Sequence, residues 1–189
     1  GDGAFMKDLD GALELARQMV AIGTAHGRKV AALITDMDKP LGYNIGNSLE
    51  VAESMAVLQG KGPVDLTEVC LQLASNMLVL AGKGDMPTCR KLAESAIADG
   101  TAFEKCCRMF AAQGGNVSVL RDADKFRKAK YSFALTAPKD GYIYKNDVEK
   151  IGNASVLLGA GRIKKEDAID FAAGITMHKK LGDHVSAGE

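Results

Sequence analysis

The chain has 189 residues, 47% of them apolar, and carries 24 Lys+Arg against 24 Asp+Glu. That length holds one domain, or one domain with a small second one. The balanced charge excludes a bulk electrostatic pull toward nucleic acid or an anionic membrane surface, so neither is an expected partner and any anion site must be local. No apolar run approaches the roughly 20 residues of a membrane span, and the start shows no basic–apolar–small leader.

The chain opens on "GDGAFMKD", a Gly-rich turn of the kind that follows a strand. It is not GxGxxG, and a plain strand-to-helix turn is the simpler reading than an anion nest. Asp8 or Asp10 can cap a helix whose stripe runs through Leu13, Leu15, Ala16, Met19, Val20 and Ile22, fading at Gly23 and ending by Gly27. "RKVAALITDM" follows. Its run from Val30 to Ile34, unbroken by charge, predicts a strand covered on both faces, as in a parallel sheet. Asp36 closes that run. It is a site candidate by position, since open sheets gather ligands at the carboxyl ends of their strands, or a local cap of a tight turn.

The loop "KPLGYNIG" is punctuated by Pro40, Gly42 and Gly46, and "NSLEVAESMAVL" then reads as a helix opened by Asn47 or Ser48. Such a loop can turn several carbonyls toward one point, and Glu53 can aim a carboxylate there. Carbonyls plus one carboxylate suit a hard, weakly hydrated cation; a solvated Glu on an exposed helix face is the plain alternative. Three more helices follow. One begins near Pro63 and Asp65 and ends at Gly82 or Gly84, one runs from Pro87 to Gly100, and "TAFEKCCRMFAA" is short.

From Asn116 the texture becomes polar. "YSFALTAPKDGYIYKND" alternates on both sides of Pro138–Asp140–Gly141 and predicts a hairpin. A helix is expected from Val148 to Leu158, a short helical piece in "KKEDAIDFAAG", and strand with a turn at Gly182–Asp183 in "ITMHKKLGDHV". The expected organisation is an α/β catalytic-domain portion over 1–115, a connector over 116–129, and an incomplete α+β carboxyl-terminal domain over 130–189. The first residue is Gly and the last stretch stops within a hairpin-like pattern, so the chain reads as a piece of a longer protein.

Cys70, Cys89, Cys106 and Cys107 form no CxxC and no disulfide framework. They read as free thiols in a reducing compartment, the cytoplasm, and the helical Cys106 and Cys107 as small hydrophobes rather than nucleophiles. His26, His178 and His184 make no triad or metal cluster, and no nucleophile elbow is present.

Seven segments in this order and spacing carry a resemblance over essentially the whole chain: "GDGAFMK", "ALITDMDKPLGYNIGNSLEV", "KGPVDLTEVC", "FEKCCRMFAAQGG", "APKDGYI", "LGAGRIKKEDAIDFAAGI" and "HKKLGDHVSAGE". The chain resembles pyrimidine nucleoside phosphorylases and their thymidine phosphorylase relatives, from the middle of the catalytic domain into the carboxyl-terminal domain. The resemblance implies a pentosyltransferase that uses phosphate as co-substrate to split a pyrimidine nucleoside into free base and (deoxy)ribose 1-phosphate. It implies that Phe5 and Met6 line the pyrimidine pocket. It also implies that K+ is held by the backbone carbonyls of Leu41 and Asn44 and the carboxylate of Glu53, with further ligands from a phosphate loop upstream of "GAFM". Asn44 stands where relatives often have Ala, a change that a carbonyl ligand tolerates.

The family's Gly-, Ser- and Lys-rich phosphate loop and its base-reading Arg, Ser and Lys also lie upstream, so no catalytic residue is expected in this chain and the 189 residues alone are expected to be inactive. The parent is expected to be a homodimer paired through an amino-terminal helical region. Two alternatives stand beside this reading: a non-catalytic structural piece, and a related phosphoribosyltransferase, which "GAGR…KEDAIDFAAGI" argues against. A lipoyl-like role for Lys179 or Lys180 is set aside, because "HKKLGD" lacks the Met or Ala neighbours of a modified lysine.

Overall fold

The computed structural model describes residues 1–189 and is helix-rich, with two very small antiparallel sheets. Helix α1 (Leu9–Ala25) is capped by Asp8, whose Oδ1 accepts the Gly11 N–H at 2.7 Å. Helix α2 (Asn47–Leu58) follows strand β1 (Asn44–Ile45); its N-cap is Gly46, just before the expected openers Asn47 and Ser48, and Glu50 Oε1 accepts the Gly46 N–H at 3.0 Å. The acid sits at N4 and satisfies the N-cap amide, while the cap itself offers no side chain. Helices α3 (Val64–Leu80), α4 (Met86–Ala98) and α5 (Thr101–Ala112) lie where the sequence puts them. Asp85 caps α4, its Oδ1 accepting the Thr88 N–H at 3.0 Å, with Pro87 in the first turn.

Helices α3 and α4 pack along one another, burying Leu71 and Ser75 of the first and Cys89 and Ala93 of the second. Arg90 reinforces that contact with two bonds to Glu68, at 2.9 and 2.7 Å. The main apolar cluster joins Met55 of α2, Phe103 and Cys107 of α5 and Leu120 of the short helix α6 (Val117–Leu120). Cys107 is part of this cluster and Cys106 is half-buried against it, where burial pushes the Cys106 thiol pKa up. All four cysteines are free.

Beyond a 3₁₀ turn at Ala123–Lys125, strand β2 (Gly141–Tyr142), helix α7 (Val148–Ser155), a π turn at Val156–Ala160, strand β3 (Ile175–Thr176) and strand β4 (His184–Val185) complete the chain. The sheets are long-range: β1 pairs with β3, and β2 with β4. The 175–176 segment thus lies directly against the loop that precedes α2.

Three expectations are corrected. The run Val30–Ile34 is not a buried strand. It is irregular, Ile34 is 43% exposed, and residues 29–36 form no backbone–backbone hydrogen bond. A strand is made by its neighbours, and no other stretch of residues 1–189 pairs with this one; Val30 lies against Gly23 of α1. The hairpin around Pro138–Gly141 does not close locally. Gly141–Tyr142 pairs with His184–Val185 instead, while Ala137 exchanges bonds with Gly188 and Glu189, each 2.8 Å. The turn at Gly182–Asp183 supplies the partner strand, its Gly182 N–H donating to Ile143 O at 2.8 Å. Finally, "KKEDAIDFAAG" forms turns and no helix, because its acids cap them. Asp167 Oδ2 accepts the N–H groups of Ile163 and Lys164, and Asp170 Oδ1 that of Ala172.

Candidate functional site

The loop before α2 is built around Glu53. This side chain is buried, and its carboxylate faces back along the loop. Oε1 accepts the Tyr43 N–H and the Asn44 Nδ2–H, each at 2.9 Å, and Oε2 lies 3.4 Å from the Asn44 N. Gly42 lies against the same carboxylate. Its φ of +70° is left-handed, and a Cβ there would overlap Glu53 Oε2. A solvated glutamate on an exposed face is therefore not what the sequence makes here.

The resemblance assigns the backbone carbonyls of Leu41 and Asn44 to a cation, and both lie in the loop that Glu53 orders. Met177 N–H donates to Tyr43 O at 2.7 Å, so Tyr43–Met177 is a hydrogen-bonded pair and Asn44–Thr176 is the adjacent non-bonded one. Glu53 takes the N–H groups of both Tyr43 and Asn44. The Leu41 carbonyl accepts no hydrogen bond from the chain. An all-oxygen set of carbonyls and one carboxylate fits a hard monovalent cation, and these residues fit the group that the resemblance implies.

A second layer, not foreseen as a site, surrounds this one. Asp65, at the start of α3, lies 3.4 Å from the Gly42 N through Oδ2, and it forms an ion pair with Lys180. Burial pushes the Asp65 carboxyl up. Hydrogen bonds from Lys180, Leu66 and Gly42, with the charge of Lys180, outweigh this and hold it below its ordinary value. The Lys180 ammonium also sits 4.6 Å from the centre of the Tyr43 ring. Thr176 Oγ1 donates to Asn44 Oδ1 at 2.8 Å. Gly46 and Gly174 meet backbone to backbone; a Cβ on Gly46 would stand 2.5 Å from Ala173 O. Asp65 read only as part of a helix start and Lys180 only as a discarded carrier. Their separation of 115 positions along the chain leaves no local signal of pairing.

Two clefts flank the loop. One, of about 560 Å³, is lined by Tyr43, Asn44, Glu53, Lys61 and Pro63 among others. The other, of about 390 Å³, lies where α2 meets Ser155 and Ala160; Asn47 Nδ2 closes one edge by donating to Ala160 O at 2.8 Å.

Phe5 and Met6 are not brought to this cluster by any contact. Phe5 is 99% exposed, and Met6 is half-buried, its carbonyl accepting from the amino terminus of Gly1 at 3.1 Å. The opening turn packs instead on residues 36–38. Asp2 N–H donates to Asp38 Oδ1 at 2.9 Å, and Gly3 N–H to Met37 O at 3.3 Å. Asp36 takes the Asp38 N–H at 2.8 Å, which makes it the local cap of the turn. His26 caps its own helix through Nδ1 and Ile22 O, 2.9 Å apart, and His184 packs edge-on against Tyr142.

Comparison with known proteins gives this geometry a family. Residues 1–103 match the glycosyl transferase family a/b domain, and residues 142–189 match the pyrimidine nucleoside phosphorylase C-terminal domain. Along its whole length the chain is 47% identical to the pyrimidine-nucleoside phosphorylases of Geobacillus stearothermophilus and Staphylococcus epidermidis (strain ATCC 35984), and 46% identical to that of Staphylococcus aureus (strain USA300). The chain spans 44% of the length of each of these relatives. It belongs to the glycosyl transferase family with this α/β domain.

Proposed function

We propose that this chain is the scaffold portion of a pentosyltransferase that cleaves a pyrimidine nucleoside with phosphate, giving free base and (deoxy)ribose 1-phosphate. The observation that carries the proposal is the unbroken likeness, over all 189 residues, to proteins named pyrimidine-nucleoside phosphorylases. The match of residues 142–189 to that family's C-terminal domain favours this over a phosphoribosyltransferase.

The chemistry is charge management. An oxocarbenium-like centre forms at the anomeric carbon, so phosphate must be held against it while charge on the departing base is neutralised. Those groups belong to the phosphate loop and base-reading cluster that the resemblance puts upstream of "GAFM". The residues of this chain hold and orient. Leu41 and Asn44 through their carbonyls, and Glu53 through its carboxylate, would hold K+, which when bound braces the phosphate-gripping loop. Phe5 and Met6, on the opening turn, would line the pyrimidine pocket. A cytoplasmic homodimer is part of the same proposal.

Two measurements test it. Uracil or thymine release from the nucleoside, with and without phosphate, should be phosphate-dependent in the complete enzyme and absent from the 189-residue chain. Turnover by the chain alone would overturn the assignment of the working groups. In the complete enzyme Glu53→Gln should raise the K+ concentration needed for activity by about tenfold or more, the effect of losing the one charged ligand. An unchanged requirement would remove the cation cage.

A further inference from the structure

The segment at 174–180 touches the Glu53 loop at four places: the Gly174–Gly46 contact, Thr176 on Asn44, Met177 on Tyr43, and Lys180. Three of these are neutral and act on the loop itself. Lys180 differs. Its side chain is 13% exposed, it carries charge, and it reaches past Tyr43 to Asp65 at the foot of α3. Asp65 in turn faces the Gly42 N–H, and Glu53 takes the N–H groups of Tyr43 and Asn44. The loop backbone is thus gripped by two carboxylates in succession, and one of them is neutralised by a lysine from the far end of the chain.

We propose that Lys180 is a positioning residue for the cation cage: paired with Asp65 and lying over Tyr43, it fixes residues 41–44 so that the carbonyls of Leu41 and Asn44 and the carboxylate of Glu53 keep one spacing. The proposal rests on the potassium reading of this loop. A large, weakly hydrated cation is held by several oxygens at once, and a loop that can relax loses that sum. Without Lys180, Asp65 is a half-buried carboxylate with no counter-charge. It turns to water, Gly42 loses its acceptor, and the Tyr43 ring loses its cover. A purely structural tie would lower the stability of the potassium-free and potassium-bound protein alike. A positioning tie changes the affinity for the ion.

The test uses the complete enzyme as wild type, Lys180→Met, Lys180→Arg, Asp65→Asn and Glu53→Gln. Thermal melting is followed as KCl replaces choline chloride at constant ionic strength, alongside the KCl dependence of phosphorolysis. Lys180→Met and Asp65→Asn should each raise the K+ concentration for half-maximal stabilisation about tenfold, and excess K+ should restore the full stabilisation. Lys180→Arg should stay within about twofold, because a guanidinium keeps both the carboxylate bond and the ring contact. The double change of Lys180→Met with Asp65→Asn should be no worse than Lys180→Met alone, since the two act as one pair.

An unshifted midpoint in Lys180→Met or in Asp65→Asn, with a shifted one in Glu53→Gln, overturns the proposal. Should Lys180→Met fail to fold, Asp65→Asn, which keeps the side-chain shape, decides by itself. A melting temperature that ignores K+ in the wild type, or an unshifted Glu53→Gln, overturns the potassium reading instead.

Discussion

At the scale of single residues, Gly42 and Glu53 are one unit. The glycine must be left-handed, and any Cβ there collides with the carboxylate that orders the loop. Gly42→Ala therefore incurs both a left-handed backbone penalty of about 1–2 kcal/mol and a displaced Glu53. For a chain of this size that lowers Tm by about 2–8 °C, and the displaced carboxylate should weaken the K+ response of the complete enzyme as well. Calorimetric melting with and without KCl measures both, and an alanine variant with wild-type Tm and potassium response would show that the loop is not so constrained. Gly42 was legible as a turn residue. That Glu53 sits beneath it was not, because the ten intervening residues of loop and helix give no register for the side chain.

At the scale of elements, the helices followed from the sequence because their determinants are local. Asp8 caps as expected, Asp85 does the same for α4 without having been singled out, and α3, α4 and α5 form where the sequence places them. The strands did not follow, since pairing is a property of two segments. The link between α3 and α4 carries a prediction of its own. The Arg90 guanidinium, assisted by Gln72, holds the Glu68 carboxyl down from 4.5 to about 2. A carboxylate with a depressed folded-state pKa adds stability above its unfolded value. That share is complete above about pH 4.5 and is lost as the pH falls toward 2. Both groups face solvent in part, so screening keeps the share small, and the titration itself is the sensitive readout. The Glu68 carboxyl carbon followed by NMR should titrate near pH 2 and return toward 4.5 in Arg90→Met; a midpoint near 4.5 in the wild type would dissolve the bridge.

At the scale of the whole molecule, burial is concentrated. Only 16 of 189 residues are buried, and they gather where α2, α5 and α6 meet, where α3 passes α4, and around the Glu53 loop with Ala172 and Ala173, while Met19 and Ile22 of α1 face outward, both more than 60% exposed. Amide hydrogen exchange on the 189-residue chain should mirror this. Residues 30–36, with no backbone bond in the chain, should exchange near the unprotected rate, and the interiors of α4 and α5 should be the slowest. Protection across 30–36 equal to that of α5 would mean the segment has found a partner strand.

The sequence by itself determined the helices from α1 to α5, the turn glycines, the family, and the residues of the Glu53 loop, because capping, periodicity and motif order are written within short spans. Only the tertiary structure decided that Val30–Ile34 stands unpaired, that β2 and β1 find partners near the end of the chain, and that Lys180 meets Asp65 beside Gly42. Each of these is a contact between segments distant in the chain. Its energy depends on which surface arrives opposite, and no local pattern of residues encodes that arrival.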